Sequence, residues 1–267
     1  MNAVAGPLAI RRIIVTLDSS ASGLPALQVA VRLAAAIGAE LEGVFIEDIN
    51  LVRLAGLPFL REVRACSLVE RTISAEGMQR DLRVLARQAE QTLAQAAAAS
   101  GVSCSFRVWR GHTGIESLSA SFEADILSVG AGMRRTVYRS MPLLSAFHQG
   151  GAFAVRTISI LFSDSPRGIK ALATACHLGK TLNAAIRVLL PAAGTDDLEC
   201  QAVEVLAAHG RQARFLRLGT DGPAALAAGI GTEADNVLIA EVDHPLLRQA
   251  GVARCLERLA GPVLFVR

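Results

Sequence analysis

An apolar, β-branched run that ends in an acid and small hydroxyl residues occurs twice in this chain. It is Ile13-Ile14-Val15-Thr16-Leu17-Asp18-Ser19-Ser20 first and Ile158-Ser159-Ile160-Leu161-Phe162-Ser163-Asp164-Ser165 later. A short continuous apolar run bounded by turn residues reads as a strand covered on both faces, as in a parallel sheet. An Asp and a Ser at its carboxyl end put polar groups where open α/β sheets bind ligands.

The surrounding sequence repeats with it. After Asp18, Ser22 is the expected N-cap of a helix that runs to Ile37 and stops at Gly38. Leu41 to Ile46 reads as a second strand, and Asp48 to Arg64 as a mixed apolar and basic insertion broken at Gly56-Leu57-Pro58. The insertion is expected to form a helix-turn that packs over the sheet end or against a partner, rather than to lie on a membrane surface. An alanine-rich helix from Ser74 to Ser100 follows. Ser103 to Trp109 is the third strand, and Gly111-His112-Thr113-Gly114 leads into a short helix over Ile115 to Phe122. Ile126 to Val129 is the fourth strand, with the loop Gly130-Ala131-Gly132-Met133-Arg134-Arg135 after it. Ser140-Met141-Pro142 reads as the cap of a further helix.

The second half retraces this path. Asp164 follows Asp18 by 164 − 18 = 146 residues, and Ala234-Asp235 follows Ala124-Asp125 by 234 − 124 = 110. The second copy is therefore shorter by 146 − 110 = 36 residues, lost where the first carries its insertion and long helix. Strands alternating with helices specify α/β, doubly wound parallel sheets. Two tandem domains are expected: residues 1–155 with an insertion at 48–72, and a shortened, degenerate repeat over 156–267. The seam leaves the first copy without a free-standing fifth strand, whereas the second ends in Val263-Leu264-Phe265-Val266.

Composition narrows the function classes. The 267 residues are 52% hydrophobic but only 4% aromatic, which favours alanine-rich helices packed on a sheet over an aromatic β-sandwich. Arg32, Glu40 and Glu42 interrupt the best apolar stretch, so no membrane span is expected. Met1 to Arg12 has no basic segment before its apolar part, so a signal peptide is not expected and the location is read as cytoplasmic. The five cysteines (66, 104, 176, 200, 255) have no metal-type spacing and read as reduced and mostly buried, Cys104 and Cys176 as core. A net charge of +3 with one Trp and one Tyr argues against nucleic acid as a partner.

Together these residues resemble the universal stress protein family. The resemblance rests on the first strand with Asp18-Ser19, on Gly43-Val44-Phe45-Ile46-Glu47-Asp48, on the Leu51 to Val63 insertion, on Gly111, and on Asp125-Ile126-Leu127-Ser128-Val129-Gly130. It covers residues 11–155 clearly and 157–267 more faintly. It implies the adenine-nucleotide alpha hydrolase-like fold. The exposed edge strands of such sheets make a homodimer the expected assembly, and the insertion offers 51–64 as the contact for a protein partner. Some members bind ATP. Their acid after strand one and their second-strand backbone hold adenosine, and a Gly-x-x-Gly, spacer, Gly-Ser or Gly-Thr loop holds the phosphates. That loop needs glycines because backbone N–H groups must approach phosphate oxygens closely, beside a helix N-terminus.

Carried over, the candidate nucleotide residues are Asp18, Ser19, Val44, Gly111, His112, Gly130, Gly132, Arg134 and Ser140, with ATP or AMP as the ligand. The pattern is degenerate: Met133 stands at the second glycine, Arg139 precedes Ser140, and the loop is shorter than the family's. The second copy has Ala240-Glu241-Val242-Asp243-His244 there, without a glycine, and is not expected to bind a nucleotide. Arg107, Arg110, His112, Arg134, Arg135 and Arg139 line the first copy's sheet end, against Asp221, Glu241 and Asp243 in the second. Two readings stay open: an anion site, or a rim of arginines paired with Glu and Asp.

Other chemistry is missing from the sequence. The first strand–helix turn has no dinucleotide glycine loop, and there is no P-loop or Gly-x-Ser-x-Gly elbow. The histidines lack metal spacing, so no metal is expected. The expected function is a non-enzymatic stress-response or regulatory binding protein with a degenerate nucleotide site in the first copy. The alternative is an ATP-binding protein with slow hydrolysis there.

Overall fold

The computed structural model describes residues 10–17, 23–57, 61–63, 70–72, 74–111, 124–130, 154–191, 195–219, 222–231, 233–249 and 251–267. The first half contributes β1 (Arg12–Leu17), α1 (Leu24–Ile37), β2 (Glu40–Asp48), α2 (Ile49–Ala55), β3 (Arg61–Val63), β4 (Glu70–Thr72), α3 (Ala75–Ala99), β5 (Cys104–Gly111) and β6 (Ile126–Val129). The second contributes β7 (Thr157–Leu161), α4 (Pro166–Leu182), β8 (Ala185–Leu190), α5 (Thr195–Ala208), β9 (Ala213–Arg217), α6 (Pro223–Ile230), β10 (Asn236–Glu241), α7 (Val252–Arg258) and β11 (Val263–Val266).

Among the described residues, nine strands form one sheet in the order β5-β2-β1-β6-β11-β10-β7-β8-β9. Every neighbouring pair is parallel except β6–β11, which runs antiparallel with Val129 opposite Val263 and Ile126 opposite Val266. Among the described residues, β11 pairs with both β6 and β10 and so joins the strands of the two halves in one wide sheet.

Alternation along the strands sends side chains to two layers. Ile13, Val15 and Leu17 join Leu41 and Phe45, with Ile158, Ile160 and Val188, beneath α1, α3, α4 and α5. Ile14, Val44, Leu127, Leu161, Leu238 and Phe265 face the other way, against α6 and α7. Helix α3 shows why the sequence builds this layer. Leu82, Leu85, Ala86, Ala89, Leu93 and Ala97 recur at helical spacing and are buried, while Arg83, Arg87 and Glu90 on the opposite side are exposed. Each buried leucine contributes about 2 kcal/mol. Leu93 comes so close to β2 that a Cβ on Gly43 would lie 2.4 Å from its Cδ2.

Three expectations need correction. The N-cap of α1 is Gly23, not Ser22, which lies outside the described residues; Pro25 in the first turn sets the start instead of a hydroxyl cap. The insertion holds the helix α2 and a two-stranded antiparallel ribbon, β3–β4, that the helix-turn reading omitted. Cys104 is exposed because β5 is a sheet edge, and Cys200 is exposed on α5, so only Cys176 and Cys255 among the described cysteines are buried. The helix expected at Ile115 to Phe122 and that after Ser140 lie outside the described residues.

Candidate functional site

In each half the chain leaves its first strand in two directions, and ligands of open α/β sheets lie outside the carboxyl ends at that point. For the first half this is the end of β1 and β6, where Leu17 and the buried Gly130 stand side by side in the strand order. Two buried hydroxyls join these strands to the helix above. Thr16 Oγ1 donates to the Ser128 carbonyl (3.3 Å), and Ser128 Oγ donates to the Ala26 carbonyl of α1 (3.1 Å).

Of the residues expected to bind a nucleotide, Val44, Gly111 and Gly130 are described. Val44 is fully buried on β2 beside Thr16. Gly111 ends β5 opposite Asp48. Three strand spacings separate β5 from β6, so Gly111 and Gly130 stand roughly 14 Å apart across the sheet and do not form one cradle by themselves. Asp18, Ser19, His112, Gly132, Arg134 and Ser140 lie outside the described residues.

The arginines of β5 do not share a crevice. Arg107 and Arg110 are three residues apart on a strand and therefore point to opposite faces. Each meets a glutamate of β2: Arg107 Nε lies 2.7 Å from Glu42 Oε1, and Arg110 pairs with the largely buried Glu47 directly across the ladder. For these two, the rim reading holds. Pattern alone left the two readings open because the β2–β5 register decides which acid meets which base.

The second half is described in full at its switch point, the ends of β7 and β10, and it is closed. Glu241, the last residue of β10, is 5% exposed. Its Oε1 accepts from Ser163 Oγ (2.7 Å), and its Oε2 accepts from Ser165 Oγ. Ser165 is also the N-cap of α4, where its Oγ accepts from the Gly168 N–H (2.8 Å). The carboxylate thus sits at the positive end of a 17-residue helix, the place an anionic ligand would take. Gly168 is required there, since a Cβ would lie 2.3 Å from both the Ser163 carbonyl oxygen and its Oγ.

His244 fastens the same corner. It is 3% exposed and caps the 3-10 turn Pro245–Arg248. Its Nδ1 accepts from the Leu246 N–H (3.2 Å), which leaves Nε2 to carry the proton toward the Phe162 carbonyl of β7 (3.4 Å). Burial holds its pKa below the ordinary 6.5, against the opposing pull of the Phe162 carbonyl and the Glu241 charge. Asp243 alongside binds Arg167 of α4 and Arg248 of the turn (3.5 Å). Sequence reading saw the acids here but not that their partners are the chain's own hydroxyls and arginines.

Among the described residues no group of three His, Cys, Asp or Glu side chains could hold a metal ion. Nor is any described helix long and apolar enough to cross a membrane. Burial pushes the Cys176 thiol up to about 11, so it is a packing group rather than a nucleophile.

No protein-family model matches the chain, and no curated protein matches it. Solved structures do. A universal stress protein from Archaeoglobus fulgidus DSM 4304 superposes with a TM-score of 0.56 at 12% identity, over 96% of each chain. A putative universal stress protein from Pseudomonas aeruginosa UCBPP-PA14 gives 0.46 at 12% identity, over 99% of this chain and 95% of the other. A universal stress protein in complex with cAMP gives 0.27 at 21% identity over 45% of this chain and 75% of its own, too low a score to carry its ligand across. This chain has the universal stress protein fold.

Proposed function

We propose that the protein is a non-enzymatic stress-response or regulatory binding protein built from two tandem copies of this fold, with a degenerate adenine-nucleotide site in the first copy alone. The single observation that carries the reading is Glu241, a buried carboxylate at the N-terminus of α4, where a phosphate would otherwise bind. It excludes a nucleotide from the second crevice and leaves the first, where Gly130 follows β6 and presents no side chain. The tandem organisation is supported by strand order, 3-2-1-4 in both halves counted from each half's own first strand. Homodimerisation is supported by the sheet edges β5 and β9, the former with Val108 44% exposed. The 51–64 segment is the proposed contact for a protein partner. In this reading, nucleotide occupancy alters how that segment or the dimer edge is presented.

The second reading is an ATP-binding protein that hydrolyses slowly in the first copy; a co-purified nucleotide turning over to ADP would favour it. The experiment that tests the site is thermal unfolding with and without millimolar ATP, ADP and AMP. A ligand at ~100 times its dissociation constant stabilises the native state by about 2.7 kcal/mol. A rise in melting temperature that Asp18→Ala and Arg134→Ala abolish supports the first-copy site. No shift with any of the three nucleotides overturns it.

A further inference from the structure

The corner formed by β7, β10 and the 3-10 turn has a property that the nucleotide reading does not use. His244 is almost fully buried and both of its ring nitrogens are committed in one arrangement only. Nδ1 is an acceptor for the Leu246 N–H, and Nε2 meets the Phe162 carbonyl. Nδ1 can accept only while it is unprotonated; an imidazolium donates from both nitrogens. Protonation therefore turns the Leu246 contact into donor against donor and buries a cation where the neutral ring was.

The charges around the ring do not replace what is lost. Glu241 lies three residues back on β10, with its two carboxylate oxygens already taken by Ser163 and Ser165. Asp243 is tied to Arg167 of α4 and Arg248 of the turn, one on each carboxylate oxygen. Asp164 in the β7–α4 connection is exposed. None of Pro245, Leu246, Leu247 and Arg248 is fully buried; Leu246 and Leu247 lean half-buried on the layer beneath α6 and α7, so His244 is the turn's fully buried anchor.

We propose that His244 is an acid-sensitive latch: proton uptake at Nδ1 releases the Pro245–Arg248 turn from the β7/β10 corner and uncovers the Glu241–Ser163–Ser165 cluster while the sheet stays folded. The inference is independent of any nucleotide. It makes the second half a proton-responsive element rather than an inert remnant. The depressed basicity that burial gives this histidine sets the opening below pH 6.5.

The test is amide hydrogen exchange of the full chain across pH 7.5 to 4.5, with protection factors corrected for the intrinsic rate. The Leu246 amide is expected to lose protection on acidification below pH 6.5, by up to about tenfold per pH unit, the slope of a single proton taken up on opening. The β10 amides of Val237 and Ile239 keep theirs. His244→Asn supplies a side-chain carbonyl that accepts the Leu246 N–H and does not titrate, and in it the acid loss disappears. Protection of Leu246 that is flat with pH, that falls only together with the β10 core, or that falls equally in His244→Asn overturns the latch. Should His244→Asn not fold, ring nitrogen spectra of the wild type decide. An unprotonated Nδ1 at pH 7.5 that gains its proton as Leu246 exposes supports the proposal, and an Nδ1 already protonated at pH 7.5 overturns it.

Discussion

Two Ala-Asp pairs, Ala124-Asp125 and Ala234-Asp235, stand before the fourth strand of each half and are alike in sequence, yet their surroundings differ. The half-buried Asp235 pairs its carboxylate with the exposed Arg156 at 3.5 Å, and its carbonyl accepts from the Arg156 (2.9 Å) and Thr157 (3.4 Å) N–H groups. Asp125 binds the backbone N–H groups of Arg11 (2.8 Å) and Arg12 (3.2 Å), and its Oδ1 takes Lys170 Nζ of α4 at 2.7 Å. Lys170 also donates to the Arg267 main-chain oxygen, and the Arg267 N–H donates to the Asp125 carbonyl (2.9 Å). The antiparallel β6–β11 seam is the cause. It brings the start of the first half's strands beside the end of β11 and the first turns of α4, so one aspartate becomes a clamp between halves. The two switch points diverge in the same way: at the end of the fourth strand the first has Gly130, whereas Glu241 and His244 fill the second.

That contrast can be broken from its tightest point outward. The largest effect is expected at the closed corner. Gly168→Ala drives a methyl into the Ser163 backbone, so it should cost about 3 kcal/mol in denaturant melts. Gly43→Ala in the first half, where the clash is with the movable tip of Leu93, should cost about 1 kcal/mol. Equal costs would mean the second corner is no tighter than the first.

Next comes the clamp. Asp125→Asn should lose about 2 kcal/mol, since charge-assisted hydrogen bonds are removed from a partly buried group. Asp235→Asn should lose about 0.5 kcal/mol or less. The pH dependence tests the clamp further. Burial alone would push the Asp125 carboxyl up, but Lys170 and the Arg11 and Arg12 N–H groups hold it below its ordinary 3.8. Its folded value is depressed, so its contribution is present in full above 3.8 and is lost as pH falls through the lower folded value. The acid limb of the stability curve should therefore flatten in Asp125→Asn.

The smallest effect is expected at the β5 edge. Arg107→Ala should change stability by about 0.5 kcal/mol or less, because its ion pair with Glu42 is half exposed. It should also leave any nucleotide-induced thermal shift intact. A loss of that shift in Arg107→Ala would restore the crevice reading for this arginine.

The main-sheet strands are legible along the sequence because their signal is local. β-branched apolar runs such as Ile13–Val15 and Val263–Val266 have few other uses, and Ser74, Gly38 and Gly101 mark helix ends by chemistry that acts within one turn. The β3–β4 ribbon was illegible, since two three-residue strands leave no periodicity to read. Of the candidate site, the strand carrying Val44 and the strand ends at Gly111 and Gly130 were legible. The pairing of Arg107 with Glu42, a diagonal contact, and of Arg110 with Glu47, directly opposite, was not, because both depend on the β2–β5 register.

The chain by itself therefore determined its α/β class, its main-sheet strands and its helix stops. Only the tertiary structure decided that β11 would serve both halves, that Asp125 would clamp them, and that Glu241 and His244 would shut one crevice. Each of these is a contact between groups 45 residues apart or more. Such contacts are fixed by sheet register and packing, which no local preference encodes.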